Sequence, residues 1–327
     1  MTLPLSRRHA IGGAAALGAT ALHAPAAGQA DWPNRAVRLV VGFTAGSATD
    51  ITARLFAQRF SEAWGQPVVV ENVAGNAGAI GFDRVAKSPP DGYTLMWAAN
   101  AALTILPSLQ RLPYDPLKDL MPIGIMLSMP SVVLVNNDLP VRSIAELIAH
   151  ARANPGKLSY GTPGVGTPQH ITGEMLCHQA GIRMEHIPYR GAALADTLNG
   201  SVPIAIQNAG AAMPFVREGR LRGIGVTSLT RSPNTANMPT VAEQGFPGFE
   251  ALSWFGLMAP AGTAPAIGER VRAEALKVLA DGGMRERFAT IGLDTVGSTP
   301  EEMHASIARD IPKWARVIAE AGIPVMR

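Results

Sequence analysis

The sequence predicts an α/β protein in two lobes, with parallel sheets under helices. Three observations carry this. Short apolar, β-branched runs alternate with helix-spaced runs along almost the whole chain. The strand-like runs are continuously apolar rather than alternating, as expected when both faces of a sheet are covered. With an N-terminal leader set aside, about 300 residues remain, more than a single core usually serves.

The leader comes first. Ser6, Arg7 and Arg8 precede an Ala- and Gly-rich run over 10–22, followed by small residues suited to a signal peptidase. The run is too short to span a bilayer, so residues 1–30 read as an export signal cleaved after Ala26 or Ala30, and the mature protein as periplasmic. His9 and Ala10 follow the arginine pair where a twin-arginine signal usually has an apolar aromatic, so the twin-arginine and general secretory routes both stay open.

Strands are then expected at VRLVV (37–41), PVVVEN (67–72), YTLMWAA (93–99), SVVLVN (131–136), HIPY (186–189), PIAIQN (203–208) and LRGIGVTS (221–228). Ser143 with Glu146 and Thr299 with Glu302 have the spacing of capping boxes, and Thr167-Pro168 offers a cap followed by Pro at the first helical position. Helices are expected over 143–153, 168–180, 265–280 and 300–320. The chain crosses between lobes near 127–131 and returns along 249–258, which divides it into 31–128 with 252–327, and 129–251. Trp254, Phe255 and Trp314 fill interlobe or core space, and Trp97, at a strand end, is placed at the cleft.

Charge and cysteine usage exclude several classes. The chain has 28 Lys and Arg against 25 Asp and Glu, a net charge of +3. The leader holds Arg7, Arg8 and no acid, so the mature charge is +1. Its basic residues are scattered, which disfavours nucleic acid. The single Cys177 rules out an internal disulfide and a lipid-modified cysteine at the cleavage site.

Two loops are short of bulky side chains where a strand hands over to a helix: 44–50, TAGSATD, and 160–167, YGTPGVGT. Ligands of open α/β sheets sit beyond the carboxyl ends of the strands. A helix N-terminus presents unpaired N–H groups and partial positive charge, so it can hold an anion without Lys or Arg. Thr44, Ser47, Thr49, Thr162 and Thr167 add hydroxyl donors. The absence of basic residues from both loops suits a small carboxylate better than a polyphosphate. The plainer alternative is that Gly46, Gly164 and Gly166 only turn the chain.

Signals for catalysis are weak. There is no G-x-S-x-G elbow, and Cys177, in mid-helix, reads as an inert buried thiol. His170, Glu174 and His178 recur at four-residue steps, a spacing that could ligate a metal but is common by chance. No metal or cofactor is called for.

Taken in order, WPNRAVRLVVGFTAGSATDITAR, VVVENVAGNAGAIGFDRVAKSPPDGYTLM, LPYDP, NPGKLSYGTPGVGTPQH, HIPYRGAALAD, MPTVAEQGFPGFE, WFGLMAPAGTAP and KWARVIAEAGI resemble the extracytoplasmic solute receptors of tripartite tricarboxylate transporters, the Bug family. The resemblance covers essentially the whole mature chain. It implies a two-lobed periplasmic binding protein of type 2, a Venus flytrap with its cleft between lobes, acting as a monomer. Such a protein closes on an organic acid (dicarboxylate, tricarboxylate or aromatic carboxylate) and delivers it to membrane permease subunits. It also implies ligand contacts at 43–50, with Phe43 and Ala45 joining the loop residues already named, at Thr162, Pro163, Gly164, Gly166 and Thr167, at His170 just beyond, and at Tyr189 near Arg190 and Gly191. Asn208, which closes PIAIQN, is carried as a further candidate. Asp50 is expected to orient its loop by accepting backbone N–H bonds.

The chain departs from the family pattern in places. Thr44-Ala45-Gly46-Ser47 replaces Pro-Pro-Gly-Gly, Leu194 replaces a common Pro, and Pro203 replaces a frequent Asp. Reading that Asp as a pocket residue favours simple or aromatic carboxylates over amino acids. A sensor presenting its ligand to a signalling partner, and an enzyme acting on organic acids, are the alternative functions.

Overall fold

A computed structural model describes residues 32–189, 191 and 193–325; the segment 1–30, expected above to be an export leader, and the candidate neighbour Arg190 lie outside them. In chain order the elements are β1 (Val37–Val41), α1 (Ala48–Trp64), β2 (Val68–Asn72), α2 (Ala79–Ala86), β3 (Thr94–Ala99), α3 (Ala101–Thr104), α4 (Leu106–Leu109), β4 (Leu120–Val135), α5 (Ile144–Ala153), β5 (Ser159–Thr162) and α6 (Pro168–Ala180). They continue with β6 (Glu185–Pro188), α7 (Leu194–Leu198), β7 (Ile204–Asn208), α8 (Ala209–Arg217), β8 (Arg222–Val226), β9 (Leu252–Pro260), α9 (Pro265–Ala280), α10 (Gly282–Thr290), β10 (Asp294–Thr295) and α11 (Pro300–Glu320).

The cap signals set the helix starts. Thr299 Oγ1 accepts the N–H of Glu302 at 3.2 Å while Glu302 Oε2 accepts that of Thr299 at 2.8 Å, a complete capping box. Ser143 caps α5 through the N–H of Glu146 at 3.1 Å, but Glu146 reaches past the cap to the N–H of Arg142 at 2.7 Å. The second half of that expected box therefore serves the preceding residue.

The strands run in the order β2-β1-β3-β9-β4-β7-β5-β6, with β8 and β10 also on β4. Two groups are parallel as expected, β2-β1-β3 and β7-β5-β6. The expectation of purely parallel sheets fails at β4 and β9, which pair antiparallel to each other and to their neighbours. Continuous apolar character reports that both faces are covered, not strand direction, and most residues of these two long strands are buried.

β4 changes partners midway. Leu120–Pro130 pairs with β9, and Ser131–Val135 with β7 on one side and β8 on the other. Thr227, fully buried, knits this point: its Oγ1 accepts the N–H of Ser131 at 2.8 Å and donates to Ala251 O at 2.5 Å. Thr227→Val keeps the shape but strands both groups, at about 1–3 kcal/mol each. The urea midpoint should fall accordingly, and an unchanged midpoint would show that water replaces the hydroxyl.

Apolar clusters pack against the sheet, and two of them are joined by α11. One gathers Val40, Phe82, Met96, Leu103, Met258, Met303 and Ile307. The other gathers Val133, Leu147, Tyr160, Ile171, Ile204 and Phe249, together with Ile105 and Leu109 from the α3–α4 segment and Trp314, Val317 and Ile318 from α11. At 21 residues α11 is about 31 Å long, enough to lie along both clusters. Chain crossings read from sequence do not register such a helix. Trp97 is fully buried rather than at a cleft: its ring lies 4.6 Å from that of Phe56, and Nε1 donates to Thr52 Oγ1 at 3.0 Å.

Candidate functional site

The carboxyl ends of the parallel strands carry the candidate residues: Phe43–Asp50 follow β1, Thr162–Thr167 end β5 and lead into α6, Tyr189 follows β6, and Asn208 ends β7. Among the described residues no hydrogen bond joins the first loop to the second.

In the first loop Ser47 caps α1 by accepting the N–H of Asp50 at 3.2 Å. Asp50 is 2% exposed, and its carboxylate organises the loop. Oδ2 accepts from Gly46 N–H at 2.9 Å and Arg54 Nε at 3.0 Å, while Oδ1 accepts from Asn72 Nδ2 at 2.8 Å and Arg54 Nη2 at 2.9 Å. Asn72 also donates to Phe43 O at 3.0 Å. Burial alone would raise the Asp50 pKa; bonds from Arg54, Gly46 and Asn72 outweigh it and hold the carboxyl below its usual range. Gly46 takes a left-handed φ of 83°, open to Gly at little cost.

A turn the sequence does not announce supports this loop. Asn76 and Ala77 both have left-handed φ, 48° and 49°, which costs a non-glycine residue about 1 kcal/mol or more. A Cβ on Gly42 would lie 2.7 Å from Gly78 Cα, and one on Gly78 would lie 3.3 Å from Phe43 Cε2. The close backbone approach explains why a Gly follows β1.

In the second loop Thr167 caps α6 through the N–H of His170 at 3.3 Å and donates its own hydroxyl to Gly164 O at 2.7 Å. Gly164 N–H donates to Thr162 Oγ1 at 3.3 Å, and Gly166 N–H to His170 Nδ1 at 3.1 Å. Thr162, His170 and Thr49 are buried, and Val165 stands exposed at the tip of the loop. Tyr189 gives its hydroxyl to Asp196 at 2.6 Å. Asn208 Oδ1 accepts from Gln169 Nε2 and, at 3.4 Å, from Ser253 Oγ, while its NH2 meets no acceptor among the described residues.

The donors left over differ from those the glycines suggest. The N–H groups of Gly46 and Gly166 are consumed inside their loops, whereas those of Ala48, Thr49, Val165 and Gln169 meet no acceptor among the described residues. In the first loop the N–H groups of Phe43, Thr44 and Ala45 are likewise without an acceptor among the described residues, and Ala48, Thr49 and Gln169 stand in the first turn of a helix. Arg54, Asn72 and Gln169 escaped sequence reasoning because each acts on a partner far along the chain or on a carboxylate whose role only the fold defines. His186 lay within the quoted HIPY run with no signal of its own.

The row of His170, Glu174 and His178 does not converge. Eight residues along a helix rotate a side chain by roughly 80°, so His170 is buried while His178 faces outward and pairs with Glu320 at 3.1 Å. Among the described residues no group of three His, Cys, Asp or Glu could hold a metal ion. Burial pushes the Cys177 thiol up to about 12. Pro203 precedes β7, five residues before Asn208 and roughly 16 Å from it. An acid there would not face this site, so the argument against amino acids drawn from its absence falls.

Burial, with His186 adding, lowers the His170 pKa to about 3, and burial lowers that of His186 to about 4. Unfolded histidines titrate near 6.5, so the unfolded chain binds more protons between these values. Stability is full above pH 6.5 and falls as pH drops towards 4. Urea midpoints from pH 7.5 to 4.5 should decline, less steeply in His170→Asn.

The mixed α/β sheet with helix N-termini at strand ends is the two-lobed binding-protein fold of solved neighbours described as a periplasmic transporter and as the periplasmic binding protein BugD, 34% and 33% identical with TM-scores of 0.76 and 0.72. The profile of the tripartite tricarboxylate transporter family receptor, TctC, matches residues 52–323, and the chain belongs to that family. It is 36% identical over 298 residues to Protein BugT of Bordetella pertussis (strain Tohama I), covering 89% of this chain and 90% of that protein. Rpa4515 of R. palustris, solved with adipate, is 35% identical with a TM-score of 0.76, covering 90% of this chain and 99% of that one. MatC (Rpa3494) from Rhodopseudomonas palustris, with bound malate, is 27% identical with a TM-score of 0.73, covering 88% and 100%. Members of this family are binding receptors, and this chain is a solute-binding receptor rather than an enzyme.

Proposed function

We propose that the chain is an exported receptor that captures a small organic carboxylate between the 43–50 and 162–167 loops and hands it to a membrane permease. The observation that carries this reading is the set of spare N–H donors, Ala48 and Thr49 on one loop, Val165 and Gln169 on the other, in loops without Lys or Arg. Such donors at helix N-termini stabilise an anion, and a charge-assisted bond contributes about 1.5–3 kcal/mol. The relatives with adipate and malate support a dicarboxylate, for which the NH2 of Asn208 is a further donor. A ligand touching both loops favours the closed population by its differential affinity for it.

Native mass spectrometry of the purified protein, followed by a thermal-shift panel of adipate, malate, succinate, citrate, benzoate, aspartate and glutamate, tests this. A carboxylate carried at one per chain, or one acid raising Tm by several degrees, is the expected result. No stabilisation by any acid would remove the carboxylate reading. Loss of growth on the ligand after gene deletion would support uptake, and intact uptake with lost induction would support sensing.

A further inference from the structure

His170 and His186 stand behind the second loop, and the proposed capture of a carboxylate uses neither. Their rings stack with centroids 3.8 Å apart and 19° from parallel, and Tyr160 lies 5.2 Å from His186. Each ring turns a nitrogen lone pair towards the loop. Gly166 N–H donates to His170 Nδ1 at 3.1 Å, which requires the tautomer protonated on Nε2. His186 Nε2 lies 2.7 Å from Thr162 Oγ1, and that oxygen already accepts the N–H of Gly164 at 3.3 Å. Thr162 has one proton for two acceptors, His186 Nε2 at 2.7 Å and Gly164 O at 3.4 Å; giving it to the nearer one makes His186 Nε2 the acceptor and places the His186 proton on Nδ1.

We infer that the stacked pair is the positioning element of this loop: two neutral imidazoles whose lone pairs fix Gly164 and Gly166 and so aim the spare N–H groups of Val165 and Gln169 at the carboxylate. The inference rests on the receptor reading for its ligand, but not for its geometry. A proton on His170 Nδ1 would set a donor against Gly166 N–H and a charge against the neighbouring ring. The groups facing the pair are Glu174 on α6, Tyr160 on β5, and each ring for the other. Glu174 is the carboxylate among them, 3.8 Å from His170 Nε2, and it accepts the Tyr160 hydroxyl at 2.5 Å. Burial keeps both rings neutral at pH 7 and into the mildly acid range, so the loop stays fixed there while a carboxylate ligand is ionised.

Three measurements test this. Imidazole ¹⁵N NMR of the wild-type protein should show His170 protonated on Nε2 and His186 on Nδ1, with neither titrating above about pH 5. Hydrogen exchange at Gly166 should quicken about tenfold in His170→Ala, which removes its acceptor, and stay near wild type in His170→Asn, whose Oδ1 replaces Nδ1. Calorimetric Kd for adipate at pH 7 should weaken about tenfold in the first and recover in the second. His170 protonated on Nδ1, or unchanged exchange in folded His170→Ala, overturns the inference. Should adipate bind none of the proteins while tautomers and exchange behave as stated, the positioning role stands and the dicarboxylate reading fails.

Discussion

Asp50→Ala should lower affinity for the bound acid by more than about thirtyfold, roughly 2 kcal/mol, while far-UV CD stays unchanged. The carboxylate is the shared acceptor of Gly46 N–H, Asn72 and Arg54, so its removal frees the backbone next to the Ala48 and Thr49 donors. Arg54 is half-exposed and can turn to water, which limits the stability cost to about 1–2 kcal/mol. Because the folded pKa of Asp50 is lowered, its contribution is complete above about pH 4, and is lost only as pH falls through the folded value. The effect is therefore full at pH 7. Titration calorimetry gives the affinity; an unchanged Kd would move the ligand away from the first loop.

Gly173→Ala should destabilise the protein, against the usual sign. In a helix interior Ala is normally favoured over Gly by about 0.5–1 kcal/mol. Here a Cβ would lie 2.3 Å from Tyr160 Cε2, and Tyr160 is fully buried with its hydroxyl fixed on Glu174. The ring cannot withdraw without breaking that bond and disturbing His186. Overpacking of this kind costs about 1–3 kcal/mol, read as a drop in Tm. In a Tyr160→Leu background the same change should cost less, and equal cost in both backgrounds would show that Tyr160 is not the obstacle.

Helix starts were legible because the signals are local. Thr167-Pro168 and Thr299 with Glu302 cap the helices they announce, and α6, α9 and α11 begin and end where the spacing places them. Gly173 was legible only as a residue, since its reason is a ring thirteen positions earlier. The two loops were found from small residues at strand ends, but which N–H groups remain free was not. That depends on where Asp50 and His170 point, and the glycines that drew attention turned out to spend their N–H groups within the loops.

By itself the sequence determined the features that near neighbours and covalent character set: the strand and helix pattern, two glycine loops without basic residues, a near-balanced charge with a single cysteine, and the family likeness carried by ordered short motifs. The tertiary structure alone decided strand direction at β4 and β9, the passage of α11 along both apolar clusters, the burial of Trp97, the separation of His170 from His178, and the assignment of free donors in each loop. The physical reason is range. Capping and periodicity act within a few residues, whereas hydrogen-bond satisfaction and packing are settled between groups that meet only once the chain has folded.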